Sequence, residues 1–250
     1  MTDEVPFPVY HGTSTIFLPS IFEAGLGGRN PVAECRGVQC LDRLVNIADV
    51  AFQNSDEWSV DRIGLDLMRR QTITGANMNF RHGGAYVTPA ETTAVGYALS
   101  NEVGSELLSE CIKLYRRIAT QVASEVLTLR DEFRQVFDLS LGIGKPVLIR
   151  IIDLPRASIQ TEQAGDANVP IDELLNLEPG IRAIAAQQSN FELLLPHRVD
   201  PSQVWLIKPL PDCPISSSSY KLEPYGTTVA RSSDCYGSQR IGRRGRLGYE

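Results

Sequence analysis

The segment NFELLL at residues 190–195 places a single carboxylate inside an otherwise apolar run. In a β-strand, alternation puts Glu192 on one face and its neighbours Phe191 and Leu193 on the other. An acid within such a strand costs free energy if it is buried without a partner. We therefore expect a short strand, late in the chain, that carries Glu192 for a functional reason.

Two more segments combine glycine with a residue that can contact a ligand. YHGT at residues 10–13 ends a short apolar strand, and GGAYVT at residues 83–88 is a glycine turn that leads into a strand. Tyr97 follows on a helix. Each has an ordinary explanation when taken alone, because histidines often pack at strand ends and tyrosines are common core residues.

In this order and with this spacing, the three segments resemble the His-Tyr-Glu class of ADP-ribosyltransferases, which includes diphtheria toxin and the poly-ADP-ribose polymerases. That family follows His-Gly-Thr with a short helix and an Ile-x-x-x-Gly-hydrophobic turn, and IFEAGL stands at residues 21–26. It follows its glutamate with a proline-containing turn and a closing strand, and PHRVDP at 196–201 leads into VWLI at 204–207. The resemblance covers roughly residues 8–210.

The resemblance implies a substrate, NAD+, and a set of site residues. The expected catalytic residues are Glu192, His11 and Tyr86, and the expected NAD+-binding residues are His11, Gly12, Thr13, Tyr86 and Tyr97. The bond between nicotinamide and ribose breaks through an oxocarbenium-like transition state, as glycosidic bonds do. Nicotinamide leaves as a neutral molecule, so the reaction needs a carboxylate that stabilises positive charge rather than a general acid.

Each of these residues has an expected task in that reaction. Glu192 anchors a ribose hydroxyl and stabilises the charge that develops on the sugar. His11 hydrogen-bonds a ribose hydroxyl, as the family's histidine does. Gly12 has no side chain, so its backbone N–H and C=O can approach the nicotinamide carboxamide closely. Tyr86 and Tyr97 stack on the two faces of the flat ring.

The expected function is that of an NAD+-dependent mono-ADP-ribosyltransferase, which transfers ADP-ribose to a macromolecular acceptor, protein or nucleic acid, and releases nicotinamide. A catalytic domain of this kind without regulatory domains is typical of a toxin, effector or defence enzyme. Two alternatives stay open, an NAD+ glycohydrolase and a non-catalytic binding protein on the same fold. The acceptor is not indicated, because Asn190 stands where arginine-modifying toxins carry Gln or Glu.

Short strands separated by helices, without a regular βαβ rhythm, predict an α+β fold. The resemblance implies a split, mostly antiparallel β core. Helical stretches near residues 41–71 and 105–139 exceed the smallest transferase core and are expected to be insertions. In the second stretch, apolar residues recur in steps of three and four from Leu108 to Val136. This pattern predicts one long amphipathic helix that packs on the sheet or pairs with another helix.

We expect residues 1–210 to form the catalytic domain and residues 211–250 to form a C-terminal tail rich in Ser, Pro and Arg. Five arginines fall within residues 231–246. Such a segment is either a solvated tail or an arm that touches an acidic partner, nucleic acid or otherwise.

Composition narrows the class of protein. The 250 residues are 42% hydrophobic with a formal net charge of −6, which is typical of globular proteins and unlike chains that bind nucleic acid over their whole surface. No signal peptide is visible, and no apolar run approaches the ~20 residues that span a membrane. We expect a cytoplasmic protein, or one delivered into another cell, without membrane insertion. Cys35 and Cys40 have no partners at zinc-ligand spacing, so no metal site is expected.

Overall fold

The computed structural model describes residues 3–71, 82–209 and 220–225. Its strands, numbered in chain order, are β1 (Val9–Ser14), β2 (Tyr86–Val87), β3 (Pro146–Ile151), β4 (Ile159–Thr161), β5 (Phe191–Leu193), β6 (Val204–Pro209) and β7 (Tyr220–Pro224). Its helices are α1 (Leu18–Ala24), α2 (Pro31–Glu34), α3 (Gly37–Ala51), α4 (Asp56–Arg69), α5 (Glu91–Ser100), α6 (Glu106–Ala119), α7 (Ala123–Glu132), α8 (Arg134–Leu139), α9 (Asn168–Asn176) and α10 (Pro179–Gln187).

The strands form two antiparallel sheets. One has the order β1-β3-β6-β7, and the other has the order β2-β5-β4. The sheets meet at a bridge where Tyr10 and Thr88 exchange backbone hydrogen bonds of 2.8 and 2.9 Å. Helices account for most of the remaining regular structure in the described ranges. The fold is therefore α+β with antiparallel pairing, as the sequence predicted.

The four-stranded sheet extends past the expected domain boundary at residue 210. β7 pairs with β6 along its whole length, and the hydroxyl of Tyr220 hydrogen-bonds the carboxylate of Glu91 on α5. The expectation of a separate tail is thus corrected for residues 220–225, which belong to the sheet because their backbone groups complete its edge. The arginines of residues 231–246 lie outside the described residues.

The stretch expected to form one long helix consists of three helices, α6, α7 and α8. The first break falls at residues 120–122, where the β-branched Thr120 and Val122 lower the helix propensity. The second break falls at Phe133, whose dihedral angles (φ −118°, ψ 40°) leave the helical region. The apolar stripe is nevertheless largely buried from Leu108 to Val136, with Tyr115 and Val122 partly buried, because the three helices turn together around one core.

The two helical stretches pack on each other, which is the second of the two expected arrangements. Helices α3 and α4 lie against α6, α7 and α8 around a shared apolar core, and we call these five helices the helical cluster. Its fully buried members include Leu41, Leu44, Leu107, Leu108 and Ile118. The strands bury a separate core of their own. Within the described ranges, every helix falls short of the length and apolar composition needed to cross a lipid bilayer.

Candidate functional site

A cleft opens where β1 and β2 part. Beyond the bridge between Tyr10 and Thr88, continued antiparallel pairing would set Gly12 opposite Tyr86. A cavity of about 250 Å³ occupies this position instead and is lined by residues of both strands. Its walls also include the turn after α1, the turn before β2, part of α5, residues 104–106 at the start of α6, and the side of the second sheet at Glu162 and Asn190.

His11 is tied to the opposite side of the cleft. Its Nδ1 lies 2.7 Å from the backbone carbonyl oxygen of Tyr86. A carbonyl oxygen only accepts hydrogen bonds, so Nδ1 carries the proton and Nε2 of the neutral ring is an acceptor. Burial lowers the pKa of His11 below its ordinary value of 6.5, and the hydrogen bond to Tyr86 opposes this shift only in part. The imidazole is therefore neutral at pH 7 and can accept a hydrogen bond from a hydroxyl group.

Gly12 and Thr13 line the cavity but also serve the packing of the fold. A Cβ on Gly12 would lie 1.9 Å from the carbonyl oxygen of Ala94, so α5 can rest on β1 only because residue 12 is glycine. The hydroxyl of Thr13 donates to the carbonyl oxygen of Gly104 at 3.2 Å. The backbone N–H and C=O of Gly12 point to the same strand edge as those of Tyr10, which is the edge at the cleft.

Tyr86 and Tyr97 also line the cavity. The hydroxyl of Tyr97 accepts a hydrogen bond of 3.2 Å from the backbone N–H of Glu106, in the first turn of α6. Burial raises the pKa of Tyr97 to about 12, and the neighbouring Glu106 and Tyr86 add to this shift. The residue as a whole is still 39% exposed. Its hydroxyl is thus anchored while its ring stays accessible, which suits stacking on a flat ligand.

Glu192 lies beside the cavity, one strand away from Tyr86. The two residues are direct cross-strand partners of β5 and β2, so their side chains share one face of the sheet. Gln160 of β4 donates from Nε2 to Oε2 of Glu192 at 2.7 Å. A Cβ on Gly84 would lie 2.3 Å from Oε1 of Glu192, so the carboxylate rests against this glycine. Glu192 is half-buried and stands just outside the set of residues that line the cavity.

The strand expected around Glu192 is present as β5. Phe191 and Leu193 are buried on the face opposite Glu192, as alternation predicted, whereas Leu194 and Leu195 are exposed beyond the end of the strand. The structure brings five of the expected site residues to one cavity, His11, Gly12, Thr13, Tyr86 and Tyr97, and holds Glu192 at its side.

Two carboxylates that the sequence does not single out, Glu106 and Glu162, also line the cavity. Burial raises the pKa of both, and each is raised further by a nearby carboxylate, Glu162 by Glu192 and Glu106 by Glu110 and Glu162. Glu162 follows the three-residue strand β4, which is too short to show a periodic pattern. The one available signal was the polar alternation of Gln160 and Glu162.

Arg29 and His82 also line the cavity and add a guanidinium and a buried imidazole to its wall. Arg29 pairs with Glu23 at 3.2 Å, and both side chains are largely exposed. Burial lowers the pKa of His82 to about 4, and its Nε2 is buried without a hydrogen-bond partner among the described residues. The lining therefore combines carboxylates, a guanidinium and neutral imidazoles, which suits a ligand with both cationic and anionic parts.

Comparison of the chain with models of known protein families, with curated proteins and with solved structures found no match.

Proposed function

We propose that the chain is an NAD+-dependent mono-ADP-ribosyltransferase of the His-Tyr-Glu class, which transfers ADP-ribose to a protein or nucleic acid and releases nicotinamide. The proposal is carried by two contacts that join three residues, a hydrogen bond and a cross-strand pair. His11 is hydrogen-bonded to Tyr86, and Tyr86 stands opposite Glu192. Two antiparallel sheets that part beyond the bridge between Tyr10 and Thr88 agree with the split β core that the resemblance implies.

In this proposal the nicotinamide ring of NAD+ enters the cleft between β1 and β2. Tyr97 offers an accessible ring face, and Tyr86 belongs to the same lining. The free edge of β1 at Gly12 presents one N–H and one C=O, the donor and acceptor that a primary carboxamide requires. The pyridinium ring is cationic, and the carboxylates of Glu106 and Glu162 in the lining favour a cationic ligand.

The bond between ribose C1′ and the nicotinamide nitrogen then breaks, with its electron pair going to the nitrogen. The neutral His11 accepts a hydrogen bond from a ribose hydroxyl at Nε2 and so orients the sugar. Glu192 faces the positive charge that grows on the sugar. Its carboxylate is already fixed by Gln160 and Gly84, so no reorganisation is needed when the charge develops.

Incubation of the purified chain with radiolabelled NAD+ and a cell lysate tests the proposal. Parallel digestion with protease or nuclease identifies the class of acceptor, and Glu192→Gln is the inactive control. Label in macromolecules supports transfer. Free ADP-ribose as the sole product would identify an NAD+ glycohydrolase, and NAD+ binding without release of nicotinamide would identify a binding protein.

The same resemblance supports a role as a toxin, effector or defence enzyme, acting in the cytoplasm or in a cell into which the protein is delivered. Attack on an intracellular macromolecule would place the enzyme where NAD+ is abundant. Expression of the wild-type chain in a recipient cell, beside Glu192→Gln, measures this role. Growth arrest by the wild type alone is the expected outcome.

A further inference from the structure

A second carboxylate, Glu162, lines the cavity directly after the end of β4, the strand that pairs with β5. Gln160 and Glu192 are cross-strand partners of β4 and β5, and extension of that register by two residues sets Glu162 opposite Asn190. The side-chain hydrogen bond from Nδ2 of Asn190 to Oε2 of Glu162, at 3.3 Å, agrees with this register. Glu162 and Glu192 are then diagonal neighbours on one face of the sheet, with Cα atoms about 7–8 Å apart.

The surroundings of Glu162 suit a proton acceptor. It lines the cavity, whereas Glu192 stands at the side of the cavity against Gly84. Within the described ranges, the charged groups near it include the carboxylates of Glu192 from β5 and Glu106 from α6, and both disfavour a second negative charge. Burial raises the pKa of Glu162, and the hydrogen bond from Asn190 opposes the shift. A raised pKa makes a carboxylate a better base near neutral pH.

We propose that Glu162 is the general base that accepts the proton of the incoming acceptor, a role that rests on the proposed transferase function. The acceptor's lone pair forms the new bond to ribose C1′ as the bond to nicotinamide breaks. The proton of the acceptor's O–H or N–H goes to the carboxylate of Glu162 and from there to solvent. Glu192 keeps its charge throughout and stabilises the sugar cation.

The placement of the two carboxylates supports this division of labour. Glu162 and Glu192 lie on one face of the sheet but on different strands, so each side chain is held by its own backbone position. Glu192 is fixed by Gln160 and rests against Gly84, whereas Glu162 lines the cavity that an acceptor would enter. Asn190 holds Glu162 in place and so acts as a positioning residue.

Chemical rescue distinguishes a base from a merely structural residue. Nicotinamide release from NAD+ is measured with water as the nucleophile and again with sodium azide, which attacks C1′ without losing a proton. We expect Glu162→Gln to lower the rate with water about 10²-fold or more and azide to restore it, since general bases contribute 10²–10⁴-fold. Glu192→Gln stays slow with both nucleophiles. The exposed Glu173 offers a matched control, and Glu173→Gln should behave as the wild type.

A pH profile and a conservative variant complete the test. The wild-type rate should fall on acidification through the pKa of Glu162. Glu162→Gln should lose this decrease, while Glu162→Asp should retain it at a lower overall rate. An unchanged water rate in Glu162→Gln, or a loss that azide does not restore, overturns the assignment of the base while leaving the transferase proposal intact. If the wild-type chain releases no nicotinamide from NAD+, both proposals fail together.

Discussion

Tyr86 and Glu192 stand directly opposite each other on neighbouring antiparallel strands, and the backbone carbonyl of Tyr86 accepts a hydrogen bond from His11. Three residues from distant parts of the chain are thereby held in one short series of contacts. The series crosses the gap between the two sheets, so the cleft keeps its width only while both sheets keep their positions. Each link can be changed separately.

Removal of the charge at residue 192 should separate chemistry from binding. Glu192→Gln keeps the shape of the side chain and its contact with Gln160 but no longer stabilises the sugar cation. We expect a loss of ~3–4 kcal/mol of transition-state stabilisation, roughly a 10²–10³-fold lower rate. NAD+ affinity should change far less, because the ground-state ribose lacks the developing charge. Single-turnover transfer and calorimetric binding measure the two; equal losses would mean that Glu192 only holds NAD+.

Gly84 lies against the carboxylate of Glu192, so a substitution at Gly84 tests the position of the carboxylate without changing its chemistry. Gly84→Ala puts a methyl carbon 2.3 Å from Oε1 of Glu192, which is too close for non-bonded atoms, so the carboxylate must move. We expect at least ~10-fold slower turnover, in keeping with the sensitivity of catalysis to misplacement of a group by about 1 Å. Gly83→Ala is the matched control, because its new Cβ meets only the end of the Asn30 side chain, at 3.3 Å. Equal rates for the two variants would argue against the position assigned to Glu192.

Gly12 should matter first for stability. A methyl group on Gly12 collides with the backbone of α5, which cannot move away as a side-chain end can. We expect Gly12→Ala to lower the free energy of unfolding by about 3 kcal/mol, at the upper end of overpacking effects. Gly64→Ala on α4 is the control, since a Cβ there meets no atom within 4 Å. It should stabilise the protein by about 0.5–1 kcal/mol through helix propensity, and denaturant unfolding measures both.

The three histidines should all titrate below pH 6.5, because burial lowers the pKa of His11, His82 and His197. A histidine with a depressed pKa leaves stability undiminished above the unfolded pKa and removes it as the pH falls toward the folded pKa. The protein should therefore lose stability on acidification from pH 6.5 toward 4. Imidazole NMR signals, assigned with His→Asn variants, give each pKa directly. A midpoint above 6.5 for His11 would contradict the buried, neutral ring.

Truncation tests the place of β7 in the fold. Removal of every residue after Leu210 deletes a complete edge strand and the contact between Tyr220 and Glu91. We expect this variant to melt at a clearly lower temperature than the full chain. A chain that ends at Tyr225 keeps β7 and should melt as the full chain does. If that longer variant retains NAD+ hydrolysis but transfers less ADP-ribose at low salt, residues 226–250 contribute to binding an anionic acceptor.

Features with a local cause could be predicted from the sequence. The alternation around Glu192, the glycine turn before Tyr86 and the apolar stripe of residues 108–136 each depend on residues close together in the chain. The α+β class followed from the same patterns. Local signals therefore fixed which residues face inward.

Features that depend on pairing across the chain could not be predicted. The three helices of residues 105–139 turn around a core that they share with α3 and α4, and no periodicity within that stretch indicates this packing. Glu162 joins the site only because β4 pairs with β5, and a three-residue strand carries too little pattern to be recognised. The packing role of Gly12 likewise depends on α5, far away in sequence.

The hydrogen bond that orients His11 has a consequence for how this site can vary over evolutionary time. Its acceptor is a main-chain oxygen, so every amino acid at position 86 supplies the same partner to the imidazole. Sequence drift at that position can therefore alter the wall that a ligand meets without releasing the histidine. The histidine itself has no such freedom, because the donor of this hydrogen bond is its own side chain.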